Sequence, residues 1–146
     1  MSDKDVVVRN AAGGYRTEVA AAGHTLVADE PASVGGTEAG PSPYDFLLGA
    51  IGSCTAMTVR MYAGRKGWPL EDVTIRLRQG HDYAKDCADC ATQTVAIPRI
   101  EREVELAGPL TDEQRERLMY IASRCPVAQT LEKGIHVVDV QAPAGA

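Results

Sequence analysis

The sequence predicts a mixed domain of strands and helices, with antiparallel strands grouped before and after one long helix. Three observations lead there. The first thirty residues alternate polar and apolar side chains between glycine-rich turns. Residues 43–66 form one apolar stretch of helical length with start and stop signals at its ends. The second half then gives two alternating stretches followed by a capped amphipathic helix.

In chain order, residues 5–9 are β-branched and lead into Asn10-Ala11-Ala12-Gly13-Gly14, a turn composition. Residues 15–20 and 24–28 alternate, with Ala21-Ala22-Gly23 as a tight link, so the three runs read as an antiparallel meander. Residues 29–42 carry Pro31, Gly35, Gly36, Gly40 and Pro41 and have no period. They read as a loop, and loops this long in a compact domain are often functional. Ser42 suits a helix cap, Pro43 the first helical position, and Asp45 the first turn, where the helix dipole favours an acid. The helix then runs from Phe46 to about Lys66, where Gly67-Trp68-Pro69 stops it. Phe46, Leu47, Leu48, Ala50, Ile51, Met57, Val59 and Met61 lie around most of its circumference, so it is expected to be buried on several sides and central to the fold.

Residues 70–79 form the next strand, with Val73, Ile75 and Leu77 on one face and Thr74, Arg76 and Arg78 on the other. A polar excursion follows over residues 80–94. Residues 95–106 alternate again, through Ile100-Glu101-Arg102-Glu103-Val104-Glu105, and Gly108-Pro109 turns the chain. Thr111 with Gln114 makes a capping box for a helix through about Arg124, with Leu118, Ile121, Ala122 and Cys125 on one face. Pro126 breaks it, because proline disfavours helical geometry in the residue before it. A short helix over 127–133, Gly134, a last strand over 135–140 and a frayed tail over 141–146 complete the reading. The 146 residues are expected to form a single domain without internal repeats.

Composition narrows the function. Fifteen Lys and Arg against twenty Asp and Glu leave a net charge of −5, which argues against gripping a nucleic-acid backbone. No apolar run is read as approaching the roughly 20 residues of a membrane helix. The start, Met-Ser-Asp-Lys-Asp, lacks an apolar signal core, so a cytoplasmic location is expected. With 5% aromatic residues, the core must be built from Val, Leu, Ile, Ala and Met.

The cysteines carry the chemistry. In a reducing compartment Cys54, Cys87, Cys90 and Cys125 are expected to be catalytic, metal-binding or buried rather than structural disulfides. Cys54 sits among Gly49, Gly52, Ser53, Thr55 and Ala56: it is either a core cysteine where space is tight or a thiol beside a pocket that small residues leave open. It lies too deep in its helix for the N-terminal dipole, so lowering its pKa requires a cation from elsewhere. Spacing does not say which; Arg16, Arg60, Arg65 and Arg124 are candidates by default, and none is placed by sequence. Cys125 either ends an apolar stripe or caps the next helix, where unpaired backbone N–H groups favour thiolate. Cys87 and Cys90 form a C-x-x-C with His81 upstream, open to three readings: a zinc site, a local redox pair or exposed thiols. His24 and His136 read as ordinary strand residues.

The stretch Gly40-Pro41-Ser42-Pro43-Tyr44-Asp45-Phe46-Leu47-Leu48-Gly49-Ala50-Ile51-Gly52-Ser53-Cys54-Thr55-Ala56-Met57-Thr58 resembles the central-helix motif of the OsmC-like family. These are thiol peroxidases related to the organic hydroperoxide resistance proteins. Cys125-Pro126-Val127 resembles the family's second cysteine motif, and the likeness extends over about residues 5–140. The resemblance implies an α+β fold with antiparallel sheets packed around a long central helix, assembled as an intertwined homodimer with active sites at the subunit interface. It implies that Cys54 attacks the peroxide and becomes a sulfenic acid, that Cys125 condenses with it to a disulfide, and that an external dithiol, such as a lipoylated protein, restores the pair. Organic hydroperoxides, the substrates of relatives, suit a pocket formed by Phe46, Leu47, Met57 and Met61. No cofactor and no catalytic metal are expected. The chain departs from the family pattern in two places. Tyr44 stands where better-studied relatives carry a glutamate, and residues 29–42 lack the arginine that activates the thiolate there. The alternative reading is an OsmC-fold dimer, catalytically weak or inactive, that binds an apolar ligand or partner.

Overall fold

The computed structural model describes residues 5–83 and 96–144, and their order is β1 (Val7–Asn10), β2 (Thr17–Ala21), β3 (His24–Ala28), α1 (Pro43–Lys66), β4 (Asp72–Tyr83), β5 (Ala96–Ala107), α2 (Asp112–Ser123) and α3 (Pro126–Lys133). The fold class is α+β, with antiparallel sheets as expected. The chain divides into two compact units, Met1–Ala50 and Ile51–Ala146.

In the first unit the expected meander forms, in the order β1-β2-β3, with Val8 opposite Val19 and Val19 opposite Leu26. The Asn10 side-chain amide donates to the carbonyls of Gly14 and Arg16 and to Thr17 Oγ1, which closes the first turn. Ala22 and Gly23, at φ of 49° and 79°, make the two-residue link between β2 and β3. Two consecutive left-handed residues give a turn whose twist matches that of the strands.

The expected loop over 29–42 contains one short 3-10 turn, Ala32–Val34, and is drawn together by a buried carboxylate. Asp29 Oδ1 accepts from the Glu30 N–H, and Oδ2 accepts from the Thr37 hydroxyl and the N–H groups of Thr37 and Ala39. The Thr37 hydroxyl first, then the backbone donors, hold its pKa down at about 2, from 3.8, against the opposing effect of burial. Helix α1 starts as its sequence signals. Ser42 Oγ accepts from the Asp45 N–H at 3.2 Å, and the Asp45 carboxylate accepts from the Ser42 N–H at 2.9 Å.

In the second unit α1 presents one stripe, Ile51, Gly52, Thr55, Val59 and Ala63, as its buried face. Val59 and Ala63 pack with Leu70, Leu118 and Ala122, backed by Tyr62, Trp68, Val73, Val104, Leu106 and Leu110. Ile51 packs with Cys125 and Ala128, against Cys54, Leu77, Val127 and Leu131. Gly52 leaves room for Leu77: a Cβ there would lie 2.7 Å from Leu77 Cδ1, so that side-chain end would have to shift. Gly67, at φ 65°, ends α1, and the Trp68 N–H returns to the Ala63 carbonyl at 2.9 Å. The β4–β5 hairpin sets Val73 opposite Leu106 and Leu77 opposite Arg102. Its outer face carries the ion pairs of Arg76 with Glu103 and Glu105, and of Arg78 with Glu101 and Glu103. Exposed pairs of this kind contribute little stability each. The capping box on α2 is present: Thr111 Oγ1 accepts from the Gln114 N–H, and Gln114 Oε1 from the Thr111 N–H.

Four expectations are corrected. Within the chain α1 is not buried on several sides: Tyr44, Met57 and Met61 are 60%, 64% and 56% exposed. Helical spacing sends only one stripe toward the partners this chain supplies. The expected last strand does not form, because residues 135–140 pair with no described strand, and a lone extended segment leaves its backbone groups unpaired. Ile135, Val137, Val138 and Val140 are exposed. The strand expected over 70–79 begins later and continues to Tyr83, since pairing with β5 carries it past Gln79. Finally, α1 does meet the length and composition test for a membrane-crossing helix, with a mean hydropathy of 1.2, a test that core helices also meet. Its small polar residues, Ser53, Thr55 and Thr58, interrupt the apolar run, so the hydropathy reaches that level only as an average over the helix. The C-x-x-C of Cys87 and Cys90 lies outside the described residues, and so does the side chain of His81.

Candidate active site

Two cysteines distant in sequence meet where α1, the hairpin and the α2–α3 junction converge. Cys54 projects from the edge of the buried stripe of α1 and is half-buried, whereas Cys125 is fully buried. Both are free thiols. The Pro126 break places Cys125 at the N-cap of α3, with Pro126 in the first turn, as the sequence suggested. Its Sγ lies 3.8 Å from the Ile51 carbonyl oxygen.

The electrostatics favour charge on Cys125. Burial pushes its thiol up, but the polar groups beside it, the Ala128 N–H, the Thr55 hydroxyl, the Cys54 thiol and the Val127 N–H, outweigh that. Together they hold it below the ordinary cysteine value. The two N–H groups are the otherwise unpaired donors of the first turn of α3. Thr55, also fully buried, is the hub: its Oγ1 lies 2.8 Å from the Ile51 carbonyl and accepts from Arg102 Nη1 at 2.8 Å.

Arg102 was missed at the level of sequence, although a signal for it exists. On β5 the residues Glu101, Glu103 and Glu105 face outward, which puts Arg102 on the same side as Val104 and Leu106. A lone arginine in an apolar register is the mark to look for. The arginines considered from sequence are engaged or exposed elsewhere. Arg16 pairs with Glu18, Arg60 donates to the carbonyls of Leu70 and Glu71, and Arg65 and Arg124 are exposed at helix ends.

Of the side chains expected to line a substrate pocket, Phe46 and Leu47 are half-buried, and Met57 and Met61 lie on the open face of α1. Phe46 borders a cleft of about 560 Å³ in the first unit, together with Val8, Tyr15, Val19, Ala28 and Pro43. His24 is in β3 as expected, whereas His136 lies in the unpaired segment. Among the described residues no cluster of His, Cys, Asp and Glu has the makings of a metal site.

Residues 35–138 match the family model described as OsmC-like protein. The chain belongs to the OsmC-like family. No individually curated protein matches it significantly in sequence. Solved structures similar to it include an OsmC-like protein from Mycoplasma pneumoniae, at 17% identity and TM-score 0.64, covering 88% of this chain and 86% of that one. An organic hydroperoxide resistance protein OsmC from Legionella pneumophila is similar at 16% identity and TM-score 0.59, covering 86% and 87%. A proposed osmotic stress induced and detoxification response protein from Psychrobacter arcticus aligns at 19% identity and TM-score 0.66, covering 88% and 87%. At these identities the likeness is one of fold.

Proposed function

We propose that this OsmC-like protein is a two-cysteine peroxidase that reduces organic hydroperoxides, acting as a cytoplasmic homodimer. The observation that carries the reading is that a half-buried thiol, Cys54, packs against the small cluster that holds a fully buried one, Cys125, although 71 residues separate them in sequence. Cys54 as thiolate attacks the distal peroxide oxygen. The O–O bond breaks, the alkoxide leaves and takes a proton to become the alcohol, and Cys54 becomes sulfenic acid. The Cys125 thiolate then attacks the Cys54 sulfur. An S–S bond forms, the S–O bond breaks, and hydroxide leaves to be protonated to water. An external dithiol, such as a lipoylated protein, reduces the disulfide and is itself oxidised. Trapping the sulfenic acid this way protects Cys54 from irreversible over-oxidation.

The dimer is supported by what the chain leaves uncovered: the Met57 and Met61 face of α1 and the unpaired segment with Val137, Val138 and Val140. In such an assembly Phe46, Leu47, Met57 and Met61 form the apolar pocket for the hydroperoxide. The likeness to the Legionella organic hydroperoxide resistance protein supports the substrate class.

A second reading, an apolar-ligand or partner binder without turnover, is favoured by the cleft beside Phe46, which no cysteine lines. One equivalent of cumene hydroperoxide added to the reduced protein, followed by disulfide mapping, separates the two. A Cys54–Cys125 disulfide is expected, with turnover abolished in Cys54→Ser and nearly intact in Cys87→Ser. Thiols left unreacted would refute the peroxidase reading and leave the binder.

A further inference from the structure

We propose that Arg102 and Thr55 form a positioning relay that prepares Cys125 to attack, and so governs disulfide formation rather than the first reaction with peroxide. The inference rests on the two-cysteine reading above. The alternation of β5 turns Arg102 away from the glutamates that satisfy Arg76 and Arg78. Among the described residues Arg102 has no carboxylate partner; its bond is to Thr55 Oγ1. A guanidinium held half-buried without a counter-ion costs desolvation, so the fold retains it against a tendency to turn outward.

The geometry gives the charge a path to the sulfur. The Thr55 hydroxyl has one hydrogen, and its oxygen accepts from Arg102. That hydrogen goes to the Ile51 carbonyl, which also accepts from the Cys125 thiol. A hydroxyl oxygen that accepts from a cation is a better donor through its own hydrogen, because successive hydrogen bonds polarise one another. Arg102 thereby strengthens the Thr55 bond to the Ile51 carbonyl, which leaves that carbonyl a poorer acceptor for the Cys125 S–H and favours the thiolate over the thiol. In the resting thiol, the S–H has the Ile51 carbonyl as its acceptor. When the proton leaves, the Thr55 hydroxyl and the Ala128 N–H are the nearby groups that favour the anion, which then attacks the Cys54 sulfenic sulfur as described above.

Among the described residues, the charged groups of the surrounding elements leave this pair as the electrostatic control, Arg99 of β5 being paired with Glu101. From α1, Cys54 faces Cys125, while Arg60 is bound to the carbonyls of Leu70 and Glu71, and Arg65 and Lys66 are exposed at the far end. On the hairpin, Glu71 and Asp72 are exposed, and Arg76 and Arg78 pair with Glu101, Glu103 and Glu105 on the outer face. On α2, Arg115 binds the carbonyls of Leu106 and Gly108 and Arg117 binds Tyr62, while Asp112, Glu113, Glu116 and Arg124 are exposed. On α3, Glu132 and Lys133 are exposed.

The test titrates thiolate absorbance in the full-length reduced protein, with the trace of Cys125→Ser subtracted, for wild type, Arg102→Met, Arg102→Lys and Thr55→Val. The Cys125 midpoint is expected to rise by about one pH unit, a tenfold loss of thiolate below it, in Arg102→Met and Thr55→Val, and to be largely restored in Arg102→Lys. A matching experiment adds one equivalent of cumene hydroperoxide with dimedone present. Arg102→Met is expected to accumulate about tenfold more dimedone-tagged Cys54 while consuming peroxide at the wild-type rate. An unmoved midpoint in Arg102→Met and Thr55→Val overturns the relay, and so does a shift in Arg102→Met without one in Thr55→Val. If Arg102→Met does not fold, Thr55→Val and Arg102→Lys carry the titration. A wild type that ignores hydroperoxide overturns the peroxidase reading instead, and the titration still decides the relay.

Discussion

Thr55→Val probes the centre of the site with little change in volume. The hydroxyl accepts from Arg102 and donates to the Ile51 carbonyl, which Cys125 also binds, all within a fully buried position. The Ile51 carbonyl keeps its helical partner in the variant, so its share of the loss is small. The larger loss is the acceptor for a half-buried guanidinium, about 1.5–3 kcal/mol for a hydrogen bond to a charged group. A buried methyl in place of the hydroxyl returns roughly 0.8 kcal/mol. The net expectation is a destabilisation of about 1–2 kcal/mol, a factor of about 5–30 in the folding equilibrium. Urea unfolding at pH 7 and fixed protein concentration should show the midpoint falling by roughly 0.5–1 M with an unchanged slope. Thr55→Ser is the control: it keeps the hydroxyl and leaves the cavity of one methyl, costing about 1 kcal/mol without moving the Cys125 titration. The reasoning is refuted if the valine variant matches wild type in both readouts, or if serine and valine variants are equally destabilised and neither moves the thiol.

Three other outcomes follow from the packing and the loop. Leu118→Ala removes a fully buried side chain from the main core and should cost about 3–5 kcal/mol in urea unfolding, whereas Met119→Ala on the exposed face of α2 should stay within about 0.5 kcal/mol. Thr111→Ala deletes the cap of α2 and should cost about 1 kcal/mol in the same assay. Asp29 has a pKa lowered from 3.8 to about 2, so the unfolded state binds its proton first. The stability it contributes is therefore present above pH 4 and is lost as pH falls toward 2. Thermal unfolding across that window should fall more steeply for wild type than for Asp29→Asn. Parallel curves would mean that the carboxylate does not anchor the loop.

Most of the fold was legible because its signals are local. The two-residue link at Ala22-Gly23, the Ser42–Asp45 start of α1, the stop at Gly67 and the Thr111–Gln114 box each depend on neighbouring residues alone. Alternation gave the meander and the hairpin for the same reason. The last strand was misread because its apolar alternation is genuine but its pairing is a property of what lies beside it, and this chain places no described strand there. The exposed face of α1 was misread likewise, since an apolar circumference says what a helix tolerates and not what covers it.

The sequence by itself determined most of the elements, their order and the two motifs that mark the family. Only the tertiary structure decided that Cys54 packs against the cluster that holds Cys125, that Thr55 joins Arg102 to the carbonyl that Cys125 also binds, and that a carboxylate at Asp29 ties the long loop. The physical reason is the range of the interactions. Periodicity and capping act within a turn or two, so composition records them directly. The approach of α1, β5 and α3 is fixed by packing, by the room Gly52 leaves against Leu77 and by the register that faces Leu77 with Arg102. No spacing along one strand or one helix encodes that meeting.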